Sequence, residues 1–138
     1  MSKPQIVLVP GAWHAPVHMA TLAAKLDAHG YTIHTQQMPS VGSPNPPEDL
    51  SEDAAALHAM AEKAIGTDND VVVICHSWGG MVTGSGLVGL SKKEREAEGK
   101  QGGVVSLGYI AAMLMEEGTN LTDIAGSDHP PWVKVEVR

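Results

Sequence analysis

At 138 residues, 43% hydrophobic and 18% charged, with a formal net charge of −7, the chain is sized for a single domain, residues 1–138, with a real core. Its basic residues form no dense patch, since Lys92, Lys93 and Arg95 interleave with Glu94, Glu96 and Glu98, and this argues against nucleic acid as a partner. One cysteine excludes an internal disulfide, and no apolar run is long enough for a signal peptide or a membrane span, so a soluble cytoplasmic protein with no membrane partner is expected.

Ile6 to Val9 is a continuous apolar run stopped by Pro10-Gly11, the mark of a parallel strand covered on both faces. A helix is predicted from Pro16, with Met19, Leu22, Ala23 and Leu26 on one stripe and Gly30 as its stop. Tyr31 to Gln36 alternates and suits a half-exposed or edge strand. Residues 39–48, rich in Pro, Ser, Gly and Asn, read as a surface loop. A second helix is predicted from Asp49, with Glu52 as a partial capping signal and Leu50, Ala54, Leu57, Ala61 and Ile65 as its buried stripe. Val71 to Cys75 is a second apolar strand, and a third helix is predicted over Gly79 to Leu90. Ser91 to Gly103 reads as a charged loop with room for one helical turn, and Val104 to Ile110 as another buried strand. This alternation predicts an α/β fold, a mostly parallel sheet with helices on both faces and right-handed crossovers.

One junction carries chemistry. The strand Val71-Val72-Val73-Ile74 runs into Cys75-His76-Ser77-Trp78-Gly79-Gly80, and a helix begins at once. A strand–turn–helix context of this kind lifts a serine clear of the sheet as a nucleophile, provided small residues flank it two positions either side. Gly79 meets that need on one side; Cys75 stands where glycine is commonest on the other. Attack on a carbonyl needs two N–H groups aimed at the oxygen as it gains charge. Trp78 offers one at the start of the helix, and the turn Pro10-Gly11-Ala12-Trp13-His14 offers the other, through Ala12, with Gly11 allowing the tight backbone. The plainer alternative for each segment is an ordinary strand-to-helix turn.

These segments, with Gly30-Tyr31, Met38-Pro39-Ser40 and Tyr109-Ile110-Ala111-Ala112 following in order, resemble the small cofactor-free α/β-hydrolases, the group of plant methylesterases and hydroxynitrile lyases and their microbial and fungal relatives. The resemblance implies the N-terminal portion of the α/β-hydrolase fold, with the first strand between the second and third and the fourth outside the third. It implies a serine hydrolase acting without a cofactor on a small ester, lactone or related carbonyl substrate. It also implies an acid after a later strand and a histidine after the last, so the chain reads as a C-terminally truncated member. The Ser, Asp, His order is met formally by Ser77, Asp128 and His129, but neighbouring residues rarely orient one another, and a polar loop is the alternative for His129. His76 and His14, with Trp13, are candidate pocket-lining residues. A catalytically silent member that binds a ligand or partner is the alternative to an enzyme.

The same reading leaves Val104 to Ile110 as an open apolar edge, which invites self-association; the alternating Val133 to Val137 could cover an edge. Gly84-Ser85-Gly86-Leu87-Val88-Gly89 matches a dinucleotide fingerprint in spelling only, because it falls inside the third helix; close helix packing explains it better. His14 and His18 have metal-like spacing but enclose Pro16 and lack the zinc-protease glutamate, so no metal is expected.

Overall fold

The computed structural model describes residues 2–126 and 133–134. Strands β1 (Gln5–Val9), β2 (Ile33–Thr35), β3 (Asp70–His76) and β4 (Gly103–Ile110) form a parallel sheet in the order β2-β1-β3-β4. The order is the one the resemblance implied. Helices α1 (Ala20–Ala28), α2 (Ser51–Ile65), α3 (Gly79–Gly86), α4 (Lys92–Ala97) and α5 (Leu121–Ala125) complete the described elements.

Side chains alternate along β3, and the two faces are covered differently. Val71, Val73 and Cys75 are buried with Val7 and Val9 against Leu57, Ala61 and Ile65 of α2 and Val82 of α3. Each such valine or leucine contributes about 1.5–3 kcal/mol by leaving water. His76 faces the other way, where it shares a cavity with Met19 and Leu22, so helices lie on both faces of the sheet. Gly86 marks the closest helix crossing: a methyl there would stand 2.8 Å from the Ala54 carbonyl oxygen and 3.2 Å from Leu57 Cβ. Helix packing thus accounts for that glycine.

Several boundaries differ from the sequence expectation. The segment at Pro16–Met19 is a 3-10 turn, with α1 starting only at Ala20. The stripe Met19, Leu22, Ala23 and Leu26 is half-buried rather than buried. Strand β2 has three residues instead of six, because Tyr31 closes the end of α1 by donating to the Leu26 carbonyl beside Gly30 at φ 78°. Asp49 does not begin α2; Leu50 occupies the cap position, and the Asp49 carboxylate accepts the Ser51 N–H at 2.8 Å. Helix α3 stops at Gly86, four residues early, and Gly89 lies beyond it at φ 78°. The expected charged loop holds a true helix, α4, whose Ser91 and Glu94 cap each other. Helix α5, also capped reciprocally through Asn120 and Asp123, had not been expected. Strand β4 begins one residue early and carries a bulge at Val105, opposite the Val71/Val72 step. Of the proposed strand Val133 to Val137, only Val133 and Lys134 lie within the described residues, and they form no strand.

Candidate active site

Strand β3 ends at His76 and α3 starts at Gly79, so Ser77 and Trp78 must turn the chain. Ser77 does so at φ 53°, the left-handed region that a β-carbon disfavours by about 1–3 kcal/mol. Surrounding hydrogen bonds hold it there. Its N–H donates to the Ile110 carbonyl at 3.3 Å, and its own carbonyl accepts from Gly80 at 3.1 Å and Met113 at 3.0 Å. The end of β4 and the residues after it therefore clamp the turn. None of these contacts was apparent from the local spelling around Ser77.

The glycines are required by close approach. A methyl at Gly79 would lie 2.6 Å from the Pro10 carbonyl oxygen and 2.9 Å from that of Val9. At Gly80 it would lie 2.1 Å from the Met113 carbonyl oxygen. Cys75 is buried in the position where a small residue was needed. Burial pushes its thiol pKa up, so the group stays neutral near pH 7.

The turn after β1 abuts this serine. A methyl on Gly11 would come within 3.1 Å of Ser77 Cβ and 3.0 Å of His76 Nδ1. The His14 N–H donates to the Gly11 carbonyl at 3.1 Å, closing a tight turn in which Trp13 sits at φ 59°. Ala12 precedes it, and among the described residues no backbone carbonyl accepts from the Ala12 or Trp78 N–H. Trp13 itself points to solvent, 74% exposed.

His14, His18 and His76 meet edge to face, with ring centroids 4.8 Å apart for His14–His18 and 5.5 Å for His14–His76. With Gly11, Met19, Leu22 and Ile110 they line a cavity of about 380 Å³. The structure thus brings His14 and His76 together beside Gly11, and adds His18, which the sequence marks only by its spacing from His14. Trp13 does not line that cavity. The remaining described histidines are engaged elsewhere: His29 with the Lys25 carbonyl, His34 with Gln5 and His58 with the Gly86 carbonyl. Burial, then the Lys63 charge, holds the His34 pKa below its ordinary value. Asp128 and His129 lie outside the described residues.

A buried carboxylate had also escaped sequence reasoning. Asp53 on α2 accepts the Ser40 N–H at 2.9 Å and the Ser40 hydroxyl at 2.6 Å, pinning the loop after β2 against the core. The signal was available, since Asp53 falls in line with Leu57 and Met60 on one helix face. Among the described residues, no three His, Cys, Asp or Glu side chains are arranged to hold a metal ion, and no helix is long and apolar enough to cross a membrane.

Comparisons with known proteins bear on the family and the fold. Residues 6–135 match the model of the alpha/beta hydrolase family. An alpha/beta hydrolase of Aspergillus novofumigatus is 34% identical over 122 residues, covering 88% of this chain and 48% of that protein. The chain therefore spans about half the length of that relative. Among solved structures, an extracellular alpha/beta-hydrolase from a Paenibacillus species superposes with a TM-score of 0.67 at 16% identity, over 88% of this chain and 46% of that one. A polyneuridine aldehyde esterase variant superposes with a TM-score of 0.59 at 18% identity, over 94% of this chain and 49% of that one.

Proposed function

The chain belongs to the alpha/beta hydrolase family, and on that premise we propose that it carries the nucleophile of a serine hydrolase. In this reading Ser77 Oγ attacks the carbonyl carbon of a small, fairly apolar ester or lactone. The Ala12 and Trp78 N–H groups receive the oxygen as it becomes negative, each contributing about 3 kcal/mol to the transition state. The serine proton passes to a base, and the carbonyl–oxygen bond to the leaving alcohol breaks as that oxygen takes up a proton. Water then hydrolyses the acyl-enzyme. The chemistry requires no cofactor. The esterase among the structural neighbours makes an ester the class to test first.

The reading is carried by the contact between Gly11 and Ser77. A strained serine with a glycine turn pressed against its β-carbon, and the Ala12 and Trp78 amides without a backbone acceptor among the described residues, is the arrangement an acyl-transfer site needs. A fluorophosphonate probe tests it: the wild-type chain is labelled, and Ser77→Ala is not.

A second reading, a chain that keeps the fold without turnover, draws support from the histidines. Among the described residues no histidine nitrogen is hydrogen-bonded to Ser77, so the base that would activate it is not supplied there. Folded wild-type chain that resists the probe would favour this reading.

A further inference from the structure

The turn Gly11–His14 contains a contradiction that one side chain resolves. The bond from the His14 N–H to the Gly11 carbonyl, with Ala12 at negative φ and Trp13 at φ 59°, describes a type II turn. Such a turn reserves its third position for glycine or asparagine; here it holds tryptophan, a bulky residue with nothing in its side chain to offset the strain. Flipping the Ala12–Trp13 peptide would convert the turn to type I and return Trp13 to a comfortable negative φ. The flip is opposed by His14, whose Nδ1 lies 2.7 Å from the Ala12 carbonyl oxygen. A carbonyl oxygen can only accept, so Nδ1 carries the proton and donates. The ring is in turn held between those of His18 and His76, and His76 is bonded directly to Ser77 in sequence.

We infer that His14 is a positioning residue: its Nδ1–H grips the Ala12 carbonyl, holds the Ala12–Trp13 peptide in its strained orientation, and so keeps the turn that carries Ala12 in the form in which Gly11 packs against Ser77. The inference rests on the role proposed above for Ala12. The edge-to-face contact with His76 ties this grip to the nucleophile's own turn, so that the two halves of the site keep register.

The test compares His14→Ala and His14→Asn in the full chain, since the asparagine amide can donate from about the place of Nδ1. The pseudo-first-order rate of Ser77 labelling by a fluorophosphonate falls about tenfold in His14→Ala, the worth of one hydrogen bond, and recovers to within about threefold in His14→Asn. In a Trp13→Gly background, where glycine takes φ 59° without strain, His14→Ala loses threefold or less. Equal losses in both backgrounds, or no recovery with asparagine, would overturn the inference. Circular dichroism and a urea midpoint for each variant separate unfolding from repositioning. A second readout does not depend on Ser77 reactivity: the backbone amide shifts of Ala12 and Trp13 move in His14→Ala and return in His14→Asn. Unmoved shifts in His14→Ala overturn the grip even in an active chain. Shifts that move as expected in a chain that never labels leave the grip standing and refute the hydrolase reading alone.

Discussion

Two neighbouring strands of the sheet carry nearly the same kind of residue and meet opposite fates. In β3, Val71, Val73 and Cys75 are wholly buried. In β4, which pairs with β3 along its length, Val105, Leu107 and Ile110 remain 45%, 46% and 47% exposed. Strand β3 has a partner strand on each side and α2 and α3 above it; among the described residues β4 has a partner strand on one side only, and on the other a single bridge from Ser91 to Val104. The lesson is that an apolar run announces a strand, while its neighbours decide what the run is worth. A side chain on the α2 face of β3 is held by contacts on all sides; Val105, Leu107 and Ile110 of β4 still face water.

That difference can be broken in stages. The largest effect is expected where both faces of the comparison are closed. Leu57→Ala, beneath β3, costs about 2–5 kcal/mol of stability by urea unfolding, whereas Leu107→Ala on β4 costs under about 1 kcal/mol. Similar costs at the two sites would mean that β4 is covered in solution. A middle effect belongs to the loop that α2 secures: Asp53→Ala strips the Ser40 N–H and hydroxyl of their acceptor and costs about 1–3 kcal/mol by the same measurement. The smallest effect on stability carries the most information about assembly. We propose that chains associate through the β4 edge, which is apolar, has no further strand beside it among the described residues beyond the Ser91–Val104 bridge, and has no charged residue from Gly103 to Ile110 to discourage pairing. Leu107→Lys then changes stability by less than about 0.5 kcal/mol yet lowers the sedimentation-average mass at tens of micromolar. A wild-type monomer at that concentration refutes the proposal.

The strained turn belongs to the same comparison. Ser77 is held at φ 53° partly by Ile110 and Met113, from the end of β4 and the segment after it. The less buried strand thus anchors the residue on which the proposed chemistry depends.

Much of this was legible in order along the chain. Strands β1, β3 and β4 declared themselves as apolar runs, and β1 ended at Pro10-Gly11 as spelled. The small residues around Ser77 announced a sharp turn because only they permit a strand and a helix to approach so closely. Helix α4 was hidden by its own charges, although Ser91 and Glu94 formed a legible capping pair three residues apart. Strand β2 was overestimated because alternation continued through Tyr31, a residue the end of α1 had already claimed. The spacing of His14 and His18 is visible in the sequence, but their meeting with His76, 62 positions from His14, is the work of packing.

By itself, then, the amino-acid order determined where β1, β3, β4 and the first three helices occur to within a few residues, which serine stands at a turn, and which glycines must sit beside it. Those features depend on backbone sterics and short-range periodicity, both written in adjacent residues. Only the tertiary structure decided that Gly11 presses on Ser77, that Asp53 is buried, and that His14 reaches the Ala12 carbonyl. Each of these depends on which distant segments come into contact, and a contact exists only once the sheet has brought its strands together.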